Sequence, residues 1–164
     1  MTDPAARGAP RAVVALAVIA IAGAATAGAG ALKLSHHDDT ADLHSQVLSA
    51  ARQIAVDFAV YDYRHIDTDF NRVANESTGS FKSQFVSSSA GVRELIIKAK
   101  AVSKAEIAAE GLVDATPKRA SVVVALDRTV TNTSAPKGQH DSFGLQIDLV
   151  RINGHWLASG VKPL

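Results

Sequence analysis

The sequence SFGLQIDLVRINGHWLASGV, from Ser142 to Val161, alternates apolar residues with small or polar ones and then turns back on itself. Every second residue from Phe143 to Leu149 is large and apolar, which places these side chains on one face of an extended chain. Asn153-Gly154 is the dipeptide that tight hairpin turns favour, because both positions tolerate positive φ. The stretch therefore predicts two antiparallel strands, Ser142–Ile152 and His155–Val161.

Two further strands are predicted immediately upstream. Ala120–Thr131 reads ASVVVALDRTVT, is rich in β-branched residues and is bounded by Pro117 and a loop from Asn132 to Gly138. Ala105–Ala115 precedes it as a plausible first strand. The second half of the chain is thus expected to form a four-stranded antiparallel meander.

The pattern upstream of these strands is helical. From Ala41 onward, apolar residues recur every three or four positions, at Leu43, Val47, Ala51, Ile54, Phe58 and Tyr61. Asp38, Asp39 and Thr40 are well placed to cap this first helix. A shorter helical pattern follows at Ile66, Phe70, Val73 and Ala74, and the polar run Ser77–Ser80 ends it.

A third helix is predicted from about Phe81, with Gly91 as a position where it kinks or breaks. One face of this helix is apolar and consists of Val92, Leu95, Ile96, Ala99 and Val102. Arg93, Lys100 and Lys104 share the opposite face, and the simplest interpretation of this basic stripe is a solvated surface. Attraction to anionic lipid headgroups is the alternative. Three helices followed by a curved four-stranded sheet indicate an α+β domain.

An uncharged segment of 21 residues, AVVALAVIAIAGAATAGAGAL, runs from Ala12 to Leu32. As a helix it would be about 30 Å long, which matches the hydrocarbon thickness of a bilayer. Arg7 and Arg11 precede it, so the positive-inside rule leaves the short arm in the cytoplasm. The predicted organisation is a cytoplasmic arm (1–11), a transmembrane helix (12–34) and an extracytoplasmic domain (35–164).

A cleaved signal peptide is the competing interpretation of this segment. Its compact apolar half is followed by Ala and Gly residues from Ala22 to Ala31, which offer small-x-small cleavage sites. The same small residues would let a retained membrane helix pack closely against another one. Both interpretations place the folded domain outside the cytoplasm.

The composition excludes several classes of function. The chain contains no Cys, so a disulfide scaffold, a thiol nucleophile and a lipid-attachment Cys are ruled out. Three of the 17 Lys and Arg residues and one of the 16 Asp and Glu residues precede Ser35. The domain therefore carries 14 basic against 15 acidic residues, a net charge of −1. That balance gives no electrostatic footprint for nucleic acid.

Six polar residues near the end of the first helix form the strongest candidate for a catalytic site: Tyr61, Asp62, Tyr63, His65, Asp67 and Asp69. Enzymes related to ketosteroid isomerase use a carboxylate base beside Tyr donors in an apolar pocket. Helical spacing places Tyr61 on the core stripe and Tyr63 on the opposite side, which argues against a single site. We therefore expect Tyr61 to fill the core and the Asp and Arg residues to order a helix–helix turn, and we assign no catalytic residue.

A metal site is conceivable at His36-His37-Asp38-Asp39 together with His44. Adjacent ligands in a linker converge poorly on one ion, so a solvated linker is the preferred interpretation. Neither a G-x-S-x-G elbow nor a Gly-rich phosphate loop occurs in the sequence. We assign no metal and no cofactor.

Three segments, together with the apolar stretch before them, resemble one known family. They are YDYR with IDTD (Tyr61–Asp69), TGSF (Thr78–Phe81) and NGHWL (Asn153–Leu157). In this order and spacing the chain resembles the actinobacterial Mce-associated membrane proteins, which accompany Mce lipid and sterol importers. The resemblance covers the chain from about Ala12 to the end.

The resemblance implies a single-pass membrane protein whose outer domain has the cone-shaped fold of nuclear transport factor and cystatin-like proteins. It also favours a retained membrane helix over a cleaved leader. The implied role is a non-enzymatic accessory or scaffold in a lipid-import complex, with Mce-type transporter subunits or other envelope proteins and membrane lipid as partners. The alternatives are a small-molecule-binding or isomerase-like domain and a bitopic scaffold like that of type IV secretion systems.

Overall fold

The computed structural model describes residues 37–164, and the side chains from Thr40 onward. Three helices and five strands follow one another along this part of the chain. They are α1 (His37–Ala59), β1 (Tyr61–Asp62), α2 (Ile66–Asn75), α3 (Gly79–Ala99), β2 (Val102–Ala115), β3 (Arg119–Asn132), β4 (Ala135–Ile152) and β5 (His155–Pro163). The predicted arm, the membrane segment Ala12–Leu32 and His36 lie outside the described residues. Among residues 37–164, none of the helices is both long and apolar enough to cross a bilayer.

The sheet is antiparallel throughout and its strands lie in the order in which they occur, β1-β2-β3-β4-β5. The prediction of four strands was wrong by one, because β1 adds two residues that pair with Val102 and Ser103. The predicted loop from Asn132 to Gly138 was also wrong. β4 begins at Ala135, and the side-chain Oδ1 of Asn132 closes the turn by accepting the N–H groups of Ser134 (2.8 Å) and Ala135 (2.9 Å).

The Asn153-Gly154 hairpin is confirmed. Both residues have positive φ, 51° and 84° respectively, and Ile152 pairs with His155 across the turn. These angles are those of the hairpin turns that match the right-handed twist of the strands. Trp156, directly after the turn, is buried in the core, as expected for an anchor of the last strand.

The main core lies between α1 and one face of the sheet. β3 and β4 turn alternate residues toward the helix, so the strand period and the helix period meet along a single apolar interface. Its fully buried members include Val47 and Ala51 from α1, Val122 and Leu126 from β3, and Ile147 from β4. Three helices on a curled antiparallel sheet confirm the predicted α+β class.

α1 ends at Ala59, two residues earlier than the apolar stripe suggested. The hydroxyl of Ser103 donates a hydrogen bond to the Ala59 carbonyl (2.7 Å), and the Tyr63 N–H donates to the Ala101 carbonyl (3.0 Å). These partners on β2 and just before it satisfy the backbone after the helix end, so Tyr61 enters a strand instead of a further helical turn. At its other end, α1 already includes Asp38, Asp39 and Thr40.

α3 is continuous through Gly91, so the predicted break there was wrong. It ends at Lys100, whose left-handed backbone (φ 50°) allows hydrogen bonds back to the last turn. The predicted faces also need correction: Leu95 is 52% exposed, and Lys104 lies on β2 and not on the helix. Arg93 is not a free surface cation, because its guanidinium lies 5.1 Å above the ring of Phe70.

Candidate functional site

The six polar residues from Tyr61 to Asp69 do not converge on one space. Tyr61 is buried in β1, and burial raises the pKa of its hydroxyl. Asp67 points into solvent, with its carboxylate 3.5 Å from Arg93, and His65 is exposed. Asp69 turns inward and accepts the backbone N–H of Asp62 at 2.9 Å. The expected role of the acidic residues in ordering the α1–α2 connection is confirmed.

Asp62 is held as a carboxylate by Arg64. The Arg64 Nε lies 2.9 Å from Asp62 Oδ1, and the Arg64 backbone N–H donates to the same oxygen at 2.9 Å. These hydrogen bonds lower the pKa of Asp62 to about 2. An isomerase-like base needs a raised pKa in an apolar pocket, so Asp62 does not meet the requirement of that alternative.

Aromatic rings fill the interior between the helices. The ring centroid of Phe85 lies 5.4 Å from that of Phe70 and 6.3 Å from that of Phe58, and all three line a cavity of about 10 Å³. That volume holds about one water molecule. The apolar pocket in this part of the cone is therefore packed with the protein's own side chains.

A second polar cluster, which we name the carboxylate cluster, consists of Asp57, Asp69, Arg72 and Glu76. Arg72 joins two helices: its Nε lies 2.9 Å from Asp57 Oδ1 on α1, and its Nη2 lies 2.8 Å from Asp69 Oδ1 on α2. Gln53 donates from Nε2 to the other oxygen of Asp57 at 2.6 Å. Asp57 is only 7% exposed, so this charge relies on its hydrogen-bonding partners in place of water.

Glu76, at the end of α2, completes the carboxylate cluster. Burial, and next the negative charge of Asp57, raise the pKa of Glu76 to about 7. Its Oε2 atom is buried without a hydrogen-bonding partner among the described residues. Sequence reasoning missed this cluster; the available signal was Asp57, a lone acidic residue within the apolar run of the first helix.

A polar groove of about 720 Å³ lies on the face of the sheet that points away from the helices. Two cross-strand rows line it: Lys104–Thr129–His140 and Glu106–Asp127–Ser142. The Ser142 hydroxyl donates to Asp127, and Thr129 is hydrogen-bonded to His140 at 2.8 Å. Because the groove carries both signs of charge, it does not select a cationic or an anionic ligand.

The predicted His/Asp metal site falls largely outside the side chains that the structure describes. His44 lies on α1, where it is partly buried. Within the described part of the chain, no group of three or more His, Asp or Glu side chains is placed to hold a metal ion. His37, Asp38 and Asp39 belong to the first turn of α1, so the prediction that they form a linker was wrong.

The arrangement of helices on a curled sheet defines a nuclear transport factor-like fold of the kind seen in VirB8 proteins. The sequence profile described as "Uncharacterized protein Rv1363c/MT1408-like" matches residues 10–162, and the chain belongs to this family. The Mycobacterium tuberculosis protein described as "Uncharacterized protein Rv1363c" is 25% identical over 151 residues, which cover 91% of this chain. The chain spans 58% of the length of that relative.

Solved structures with the same fold come from secretion systems. An IcmL-like type IV secretion system protein from Legionella pneumophila superposes with a TM-score of 0.63 at 10% identity, covering 73% of this chain and 91% of that one. The periplasmic domain of DotI gives 0.58 at 18% identity, with 73% and 94% covered. VirB8 from Agrobacterium tumefaciens gives 0.56 at 11% identity, with 80% and 96% covered. At these identities the likeness establishes the fold alone.

Proposed function

We propose that this protein is a non-enzymatic scaffold that is anchored by its N-terminal helix and presents the domain 37–164 outside the cytoplasm. The observation that carries the proposal is the packed interior of the domain, where Phe58, Phe70 and Phe85 leave about 10 Å³. A domain whose interior is filled offers its surfaces for function. Protein–protein contact is the function that such surfaces serve best.

The N-terminal sequence and the fold support the location and the class of role. Ala12–Leu32 has the length and apolarity of a membrane helix, and Arg7 and Arg11 orient it with the domain outside. The fold is shared with the periplasmic domain of DotI and with other type IV secretion proteins. A scaffold in a multiprotein assembly of the cell envelope accommodates both observations.

Our specific proposal for the partners is the set of subunits of an Mce-type lipid or sterol importer. It rests on the three sequence segments that resemble Mce-associated membrane proteins, and on an actinobacterial relative in the same family. The second candidate is a secretion-like assembly, which the fold neighbours favour. The two candidates share the tethered scaffold and differ only in the proteins it contacts.

The test is purification of the full chain from native membranes after mild detergent extraction, with quantification of the proteins that accompany it. We expect importer subunits in fixed proportion to the chain, and lower levels of those subunits when its gene is deleted. A variant that lacks residues 1–34 but is exported by an unrelated leader is the matched control and should lose the complex. A chain that migrates alone, with importer levels unchanged on deletion, contradicts the proposal.

Intact mass of the membrane-bound protein tests the anchor separately. A mass that includes residues 1–34 supports the tether, whereas a mass that begins within the Ala- and Gly-rich segment from Ala22 to Ala31 shows a cleaved leader. Secretion-system components in place of importer subunits would leave the scaffold role standing and replace the Mce proposal.

A further inference from the structure

The connection between α2 and α3 is fastened to β5 at one point, Ala158. The Glu76 carbonyl accepts the Ala158 N–H at 2.8 Å, and the Thr78 N–H donates to the Ala158 carbonyl at 2.8 Å. Ser77, between them, is buried, and its hydroxyl donates to the Val73 carbonyl at 2.6 Å. Glu76 thus places its backbone on the sheet while its side chain faces the carboxylate cluster.

The charges around Glu76 are unbalanced when every group is ionised. Asp57 faces it from α1, and Arg72 faces it from α2 with Asp69 on the other side of the guanidinium. From β5 the segment meets Ala158, which is uncharged. Three carboxylates around one guanidinium leave two negative charges uncompensated in a partly buried site, which is unfavourable.

One proton resolves both problems of the cluster. The carboxyl groups of Asp57 and Glu76 lie within hydrogen-bonding reach of each other, but two carboxylates have no hydrogen to share. A proton between them supplies the hydrogen bond and removes one charge. It also accounts for the buried Glu76 Oε2, which otherwise has no hydrogen-bonding partner among the described residues.

We propose that the carboxylate cluster is a proton-dependent latch, in which a proton shared by Asp57 and Glu76 keeps the Glu76–Thr78 connection fastened to Ala158, and its loss loosens that connection. The pKa of Glu76, about 7, places the transition in the neutral range. The latch would control the surface between α3 and β5 in response to pH. This is a property beyond the scaffold role and does not depend on which proteins are bound.

The direction of the pH effect follows from linkage. The pKa of Glu76 is higher in the fastened state than in the open one, where it returns toward its ordinary value of 4.5. The advantage of the fastened state is therefore complete below the open-state pKa and is lost as the pH rises through 7. Between pH 6 and pH 8 the opening equilibrium should rise about tenfold, since the open state is already ionised at pH 6 and only the fastened state loses its proton in that interval.

Amide hydrogen exchange of the full chain in detergent micelles, corrected for intrinsic exchange rates, tests the latch. The readout is protection at Thr78 and Ala158, whose N–H groups make the two fastening hydrogen bonds. We expect protection to fall about tenfold from pH 6 to pH 8 in the wild type. Glu76→Gln should abolish that pH dependence, because an amide cannot release the proton.

Glu94→Gln is the matched control, because Glu94 is an exposed residue of α3. It should retain the wild-type pH dependence. If Glu76→Gln fails to fold, Asp57→Asn tests the same shared proton and should also flatten the pH response. Two results would overturn the proposal: equal protection at pH 6 and pH 8 in the wild type, or a tenfold change that persists in the folded Glu76→Gln and Asp57→Asn variants.

Discussion

Arg72 on α2 reaches Asp57 on α1, with 2.9 Å between the Arg72 Nε and Asp57 Oδ1 atoms. The ion pair joins the second helix to the first at the point where Asp57 interrupts an otherwise apolar face. Because Asp57 is buried, its carboxylate depends on Arg72 and Gln53 for compensation. The packing of the two helices therefore relies on a polar contact beside the aromatic one.

Replacing Arg72 with Met should destabilise the fold by about 2 kcal/mol. Removing one partner of a buried pair costs more than that, but the Arg72 side chain is 41% exposed and part of its interaction is screened by water. Urea unfolding of the detergent-solubilised chain, followed by circular dichroism, measures the change. Asp57→Asn combined with Arg72→Met should recover part of the loss, and a double variant no better than Arg72→Met alone would contradict this.

Asp62 should stabilise the protein at mildly acidic pH and lose that effect in strong acid. Its pKa is lowered to about 2 in the folded state by Arg64, whereas its ordinary value is 3.8. A carboxyl with a lowered pKa contributes stability above its unfolded pKa, and this contribution disappears as the pH falls through the folded value. Asp62→Asn should therefore lower Tm at pH 5, with the difference from wild type shrinking toward pH 2.

Asp67→Asn serves as the control for Asp62→Asn. Asp67 lies on the same connection, but its side chain is 82% exposed. It should change Tm little at either pH. A gap between the wild type and Asp62→Asn that is as large at pH 2 as at pH 5 would show that the carboxylate charge is not the cause.

Phe85→Ala should open the interior of the domain. The Phe85 ring packs against those of Phe58, Phe70 and Phe81, so its loss leaves a cavity and costs about 3–5 kcal/mol. An apolar cavity of that kind stays dry and binds small apolar ligands such as benzene. Calorimetric titration should detect benzene with the variant and not with the wild type. Wild-type binding of benzene or of a steroid at the same site would favour the small-molecule alternative.

Two glycines should respond to Ala in opposite directions. Gly154 has φ 84° in the hairpin turn, a conformation strained for other residues, so Gly154→Ala should destabilise the protein by about 1 kcal/mol. Gly91 lies in the middle of α3, where an added Cβ meets nothing within 4 Å. Gly91→Ala should stabilise the protein by about 0.5–1 kcal/mol. Thermal melts of both variants measure the pair, and a stabilising Gly154→Ala would contradict the turn geometry.

The sheet and its core could be predicted because their signals are local. The alternation from Phe143 to Leu149 and the turn at Asn153-Gly154 each specify backbone geometry within a few residues. The stripe from Val47 to Ile54 identified the buried face of α1 for the same reason. The α+β class and the family fold followed from the order of these elements.

The carboxylate cluster could not be predicted in the same way, because its members come from two helices and the end of a connection. Nothing near Asp57 in the sequence indicates that Arg72 and Glu76 lie beside it. Polar residues distant in sequence become a cluster only when packing brings them together and removes water. The pKa shift of Glu76 is therefore a property of the fold and not of the segment around it.

Sequence periodicity determined where the strands and helices lie, which faces they bury and where the last hairpin turns. Tertiary contacts decided where α1 stops and which residues share charge. Tyr61 continues the helical stripe, yet it becomes a strand because Ser103 and Ala101 satisfy the backbone of Ala59 and Tyr63. Local periodicity fixes side-chain direction, whereas the pairing of backbone polar groups and buried charges depends on partners that only the folded chain supplies.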